Sequence, residues 1–297
     1  MKRTLLGAAL AAFALAGAGQ AQEPLRIGVL EDMSGVYADI TGANSVAGAE
    51  LAVEDFGGTV LGRPIEVVSA DHQNKADVGA SIARKWYDVD GVEMITGLGN
   101  SSVALAVRGI STEKGKVNVS TSAGTNALTG EACSKTGFHW VYNTYALSKT
   151  IAQSVVESGA DTMYLVAADY TFGHALADDA RKFTEEAGGS IVGQVNAPLS
   201  TADYSSFILQ AQASGAKTIG LAMAGGDLVT FIKQASEFGV TEQGQAMAGF
   251  IIFVNDIKAL GLDAAQGLYL AETFYWDQDE ETRAMAERYK AKTGEMP

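Results

Sequence analysis

Val92-Glu93-Met94-Ile95-Thr96-Gly97-Leu98-Gly99-Asn100-Ser101-Ser102-Val103-Ala104 decides the fold by its order of residue types. Val92–Gly97 is a short apolar run of the kind a buried parallel strand needs. Two glycines and two small polar residues then turn the chain. From Ser101 to Lys114 the spacing predicts a helix, and Lys116–Ser122 reads as the next strand. Strand, small-residue loop, helix and strand make the repeating unit of a parallel sheet covered on both faces. Upstream the same unit recurs. Leu25-Arg26-Ile27-Gly28-Val29-Leu30 is the first strand. A helix with Val46, Val53 and Phe56 on one face follows and is closed by Gly57-Gly58. Pro64–Asp71 is then a strand and Asp77–Val89 a helix.

After Phe138-His139-Trp140-Val141-Tyr142 the alternation restarts. Helices are expected at Ala146–Ser158, Gly173–Ala187, Asp203–Ser214 and Leu228–Phe238. Strands are expected at Thr162–Ala168, Ser190–Asn196, Thr218–Ala224 and Gln245–Phe253. The halves echo each other: Thr96-Gly97-Leu98-Gly99 in one corresponds to Ala224-Gly225-Gly226 in the other. Two similar α/β lobes follow, with a boundary near Tyr142–Tyr145. The division is residues 22–143 for the first lobe and 144–272 for the second. Residues 273–297, with an amphipathic helix over Asp279–Thr293, return to the first.

The amino terminus reads as a secretion signal. Lys2 and Arg3 precede an uncharged stretch from Leu5 to Gly19, and Gly19-Gln20-Ala21 offers small residues for cleavage. Residues 1–21 are therefore assigned as a signal peptide removed near Ala21, and the working chain is expected to be exported. The formal charge of −14 over 297 residues becomes two units more negative without Lys2 and Arg3. Such acidity argues against nucleic acid or anionic lipid as a partner. A hydrophobic content of 47% argues for packed cores rather than disorder. Cys133 stands alone, and His72, His139 and His174 form no i,i+4 pair. No intrachain disulfide, metal site or cofactor is expected.

Ligands of open α/β sheets lie beyond the carboxyl ends of the strands. Three such ends are rich in small and polar residues: Asp32–Asp39, Gly97–Ser102 and Ser120–Thr125. Amides at a helix N-terminus together with Ser and Thr hydroxyls can receive a carboxylate without a formal positive charge. Equally, Ser101 can be a plain N-cap. The second half contributes Asp169-Tyr170-Thr171-Phe172-Gly173, where two aromatics could stack on a flat ligand or pack under the loop. The cluster Phe274-Tyr275-Trp276 reads as packing. For catalysis the sequence offers no Gly-x-Ser-x-Gly elbow, no phosphate loop and no serine at a telling distance from a histidine. An enzyme is not expected.

Taken in order, Met33-Ser34-Gly35, Gly48-Ala49-Glu50-Leu51-Ala52-Val53, Gly62-Arg63-Pro64-Ile65-Glu66 and Tyr170-Thr171-Phe172-Gly173 resemble the periplasmic leucine/isoleucine/valine-binding proteins of ABC transporters. The run Phe138–Leu147 is similar to the subgroup that takes up aromatic acids. The resemblance extends from Leu25 to the last residue. It implies the type I periplasmic binding fold, with two Rossmann-like lobes, three crossovers and hinge closure on a ligand in the cleft. It also implies the periplasm as compartment, a small organic anion as ligand, an ABC permease of the inner membrane as partner, and a monomer. Ser101 then matches the hydroxyl placed on the ligand carboxylate. Ser122, Ala123 and either Gly124 or Thr125 match the segment that meets the head group. Phe172 stands where amino-acid binders place a tyrosine, with Tyr170 close by. Tyr37 and Asn100, from the first two loops, complete the expected set.

Two departures bear on function. Amino-acid binders of this family hold the ligand ammonium with an acid on the strand-end loop that here reads Gly249-Phe250-Ile251-Ile252-Phe253, without a carboxylate. A buried ammonium lacking an anionic partner costs on the order of several kcal/mol. A carboxylate without an α-amino group is thus the expected ligand, unless Asp39 or Glu272 supplies the charge. Family members also continue beyond Pro297, so a C-terminal truncation and an uncovered apolar surface on the first lobe are expected. The alternatives in other classes are a secreted α/β hydrolase and a ligand-sensing module for a membrane receptor.

Overall fold

The structure, a computed structural model, describes residues 22–297; the signal-peptide assignment lies outside them. The first lobe is built on a six-stranded sheet. Its strands are β1 (Leu25–Glu31), β2 (Thr59–Val60), β3 (Arg63–Asp71), β4 (Val92–Gly97), β5 (Val117–Ser120) and β6 (Gly137–His139), in spatial order β2-β3-β1-β4-β5-β6. All neighbours are parallel except β2 and β3. That antiparallel pair corrects the expectation of a purely parallel sheet. It is a two-residue hairpin in which both Leu61 and Gly62 take positive φ, 51° and 79°, as the right-handed twist of the strands demands.

Helices α1 (Gly42–Phe56), α2 (Ala76–Asp88) and α3 (Ser101–Lys114) connect these strands. On one face, Ala83, Trp86 and Tyr87 of α2 and Val103, Ala104 and Val107 of α3 bury Leu30, Val92 and Ile95. The other face carries α1. Beside α1 runs an apolar groove of about 760 Å³ lined by Ile27, Val29, Val53, Phe56, Ile65 and Met94.

The second lobe has a four-stranded parallel sheet in the order β10-β9-β7-β8. The strands are β7 (Thr162–Ala168), β8 (Ser190–Ala197), β9 (Thr218–Ala222) and β10 (Ala246–Gly249). Strand β7 shows the period of two directly. Met163, Leu165 and Ala167 pack under α4 (Thr144–Glu157) and α5 (Thr171–Glu186). Tyr164, Val166 and Ala168 pack over α6 (Ser205–Ala213) and α7 (Gly225–Glu237). The expected strand Gln245–Phe253 stops at Gly249. Phe250–Phe253 is an apolar loop that leads into α8 (Val254–Leu260), fixed by the Asp256 carboxylate accepting from Phe253 N at 2.9 Å. A four-residue helix, α9 (Leu262–Ala265), follows.

Among the described residues the chain passes between the lobes twice: from β6 into α4, and after Glu272 into α10 (Glu280–Thr293). Helix α10 lies on α1 of the first lobe, where Tyr289 packs with Ala47 and Leu51 and where Arg288 and Lys292 pair with Asp55 and Glu54. Asp279, the expected first residue, instead caps this helix by accepting from Thr282 N, and the helix begins one residue later at Glu280.

Candidate ligand-binding site

In each sheet the chain first adds a strand on one side of the opening strand and then crosses to the other. The switch points lie between β1 and β4 in the first lobe and between β7 and β9 in the second. Ligand crevices open at the carboxyl ends of such strands. These ends face one another here and close on a small pocket of about 20 Å³, room for about one water molecule. Its wall is Tyr37, Ile40, Thr41, Gly99, Ser101, Ser122, Gly124, Tyr142, Tyr170, Phe172, Ala224 and Ile251. No Asp, Glu, Lys, Arg or His lines it.

Five of the eight expected residues meet at this wall: Tyr37, Ser101, Ser122, Tyr170 and Phe172. Asn100, Ala123 and Thr125 stand behind it. The Asn100 side chain is the N-cap of α3, accepting from Ser102 N at 3.0 Å and Val103 N at 3.2 Å. Ser101 is thereby released from capping; its Oγ faces the pocket and accepts from Thr125 N at 3.3 Å. Thr125 caps the short 3-10 turn Asn126–Leu128. Ala123 is buried, with its carbonyl 2.7 Å from His139 Nε2. Of the two candidates left open, Gly124 rather than Thr125 reaches the wall. Only glycine fits there, because a Cβ would stand 2.7 Å from the Phe172 ring.

Aromatic rings close the second side. Tyr170 lies 6.4 Å from Tyr37 and 6.2 Å from Phe172 between centroids. The Tyr37 and Tyr170 hydroxyls are 2.8 Å apart. Burial drives both phenols above their ordinary range, so both are neutral donors or acceptors. This bond, the contact of Ser102 Oγ with Thr171 Oγ1 at 2.9 Å, and Gly226 N donating to Val36 O at 2.8 Å all join one lobe to the other. Three helices begin at the pocket: α3 at Ser101, α5 just after Tyr170, and α7 just after Ala224. Their N-terminal dipole ends make the site positive without a formal charge.

Sequence reasoning passed over Thr41, Tyr142, Ala224 and Ile251, which reach the pocket from loops without a telling composition. It also passed over Glu31. This residue has no solvent exposure, and its carboxylate accepts from Ser122 Oγ at 2.8 Å, Ser45 Oγ at 3.1 Å and Gly99 N at 2.7 Å. Asp39 and Glu272 do not line the pocket. Glu272 occupies an adjoining cavity of about 400 Å³ that shares Ile40, Ser122 and Tyr142 with it, and burial pushes its carboxyl up to about 7. Asp39 faces a separate surface hollow with Lys258 and Lys290.

Two lobes built on largely parallel sheets thus meet at their switch points around an uncharged wall. The chain belongs to the periplasmic binding protein family, whose sequence profile matches residues 24–297. It is similar to a periplasmic binding protein from Burkholderia mallei, at 46% identity and TM-score 0.90, covering 92% of this chain and 73% of that one. A branched-chain amino acid ABC transporter periplasmic ligand-binding protein from Burkholderia xenovorans is 42% identical with TM-score 0.78, over the same shares. A curated relative, Leu/Ile/Val-binding protein homolog 6 of Brucella abortus, is 28% identical over 74% of this chain. The chain spans 55% of that relative's length. The fold also matches a Rhodopseudomonas palustris solute-binding protein solved with benzoate, at TM-score 0.84, covering 92% of this chain and 75% of that one; at 20% identity the likeness is one of fold.

Proposed function

We propose that this chain is the exported solute-binding component of an ABC uptake system of the branched-chain amino acid type. Its ligand is a small organic carboxylate, of the aromatic acid class, held between the lobes and passed to an inner-membrane permease. It works as a monomer by binding the closed state better than the open one, with no bond made or broken. The pocket wall carries this reading: hydroxyls, aromatic rings and three helix N-termini, with no charged side chain.

A carboxylate gains from the helix ends and from donated hydroxyl bonds. An α-ammonium in the same place would meet positive dipole ends and no counter-ion, at a cost on the order of several kcal/mol. Glu272 is a poor substitute, because it sits in the neighbouring cavity and is substantially protonated near neutral pH. The imidazoles support binding rather than hydrolysis. His72 Nδ1 accepts from Asn74 N, His139 bonds the Ala123 carbonyl, and His174 pairs with Asp169.

Ser101→Ala is expected to weaken benzoate binding by about 1–3 kcal/mol, as loss of a hydrogen bond to a charged group does. Isothermal titration of the two proteins measures it. Equal affinities would contradict a role for Ser101 on the carboxylate.

A further inference from the structure

The pocket is uncharged, yet a carboxyl group lies directly behind it. Glu31 closes β1, and its three hydrogen bonds gather Ser45 in α1, Gly99 in the β4–α3 loop and Ser122 after β5. The space is made for it. A Cβ on Gly97 would stand 2.6 Å from Oε1, and one on Gly99 would stand 2.6 Å from Oε2. Of these partners, Gly99 and Ser122 also form the pocket wall, so the state of Glu31 is communicated to the ligand one bond away.

A serine hydroxyl has one proton to place. While Glu31 is ionised it can only accept, so the Ser122 proton points at Glu31 and the pocket meets a lone pair. Once Glu31 takes a proton from solvent, its O–H can donate to Ser122 Oγ, and the Ser122 proton turns toward the ligand. A carboxylate requires the second arrangement. We propose that Glu31 sets whether Ser122 donates or accepts toward the ligand, so that a carboxylate is bound together with one proton. The inference rests on the carboxylate reading above.

Burial pushes Glu31 up to about 7, against the three bonds that favour its anion, which puts both states within reach near neutral pH. The groups around it do not remove the effect. Asp32, the residue that follows β1, raises it further. Asp71 stands opposite in register on β3, occupied by Met33 N, Ser34 Oγ and Gln73 N. His72 donates its backbone N–H to the Glu31 carbonyl, and burial holds its ring down to about 4, hence neutral. Tyr142, after β6, is a half-buried phenol kept neutral by desolvation. Glu272 shares Ser45 and Ser122 with the adjoining cavity. On α1, Glu54 and Asp55 are paired with α10. No Lys or Arg among the described residues forms an ion pair with Glu31.

Benzoate titrations of the wild type, Glu31→Gln and Glu272→Gln at pH 6, 7 and 8, in buffers of different ionisation enthalpy, test this. The wild type is expected to lose up to about tenfold in affinity per pH unit above 7 and to take up close to one proton per benzoate at pH 8, falling toward none at pH 6. Glu31→Gln is expected to bind with a flat pH profile and no uptake, while Glu272→Gln keeps the wild-type profile. If Glu31→Gln does not melt cooperatively, Ser122→Ala replaces it and should flatten the profile in the same way. A pH-independent wild type, the same slope in Glu31→Gln, or a profile flattened by Glu272→Gln would overturn the coupling while leaving the carboxylate reading intact. No benzoate binding at any pH by a cooperatively folded chain would instead overturn that reading, and the coupling with it.

Discussion

Gly173→Ala should destabilise the chain by roughly 3 kcal/mol, read as a lower midpoint in urea at unchanged slope. Alanine is the better helix residue by about 1 kcal/mol, so propensity alone predicts the opposite sign. The obstruction decides. A methyl group at position 173 overlaps the Ala168 carbonyl oxygen and crowds the Ala168 backbone, which is held in β7 with Leu165, Val166 and Ala167 all buried around it. Backbone paired in a sheet, here Ala168 beside Ala197 at the end of β7, cannot step aside as a side-chain tip does. The shift would also carry Tyr170 and Phe172 away from Tyr37 and Gly124, so ligand affinity should fall together with stability. A variant as stable as the wild type would mean that α5 and β7 are less tightly joined than described.

Arg108→Met is the second large effect, expected at about 3 kcal/mol. Arg108 is 2% exposed and has no carboxylate partner. Its guanidinium donates to Asn118 Oδ1 at 2.8 Å, Leu128 O at 2.9 Å and Phe138 O at 3.1 Å. It thereby ties α3 to β5, the 3-10 turn and β6, the segment that follows the Ser122–Gly124 wall. Methionine fills the volume but leaves two buried acceptors and one half-buried acceptor without this donor, at about 1 kcal/mol each. Arg108→Lys should recover only part, because a point charge cannot span the three directions of the fork. Thermal melts of the three proteins test the ranking.

Central strands were legible in the sequence: Val92–Gly97 and Thr162–Ala168 have the bounds expected of them. Their apolar runs are closed by glycine or polar residues, and packing adds nothing to that signal. Phe250–Phe253 misled because an apolar run reads the same whether it joins a ladder or covers a cleft as a loop. The hairpin at Leu61-Gly62 was invisible, since leucine is an uncommon residue for the left-handed region. At the candidate site, the small-residue strand ends brought Ser101, Ser122, Tyr37, Tyr170 and Phe172 forward. Glu31 did not stand out, because a glutamate at a strand end normally reaches solvent. Its burial is created by Gly97 and Gly99 from a strand more than 60 residues away, and by Ser45 and Ser122, none of which marks it in one dimension.

Thermal shift of the cooperatively folding chain with benzoate, 4-hydroxybenzoate and leucine tests the central claim most directly, since binding to the native state raises the melting temperature by mass action. The account predicts a rise with the aromatic carboxylates and little or none with leucine. A rise with leucine alone would contradict it, placing an ammonium in a pocket that has no anion to receive it.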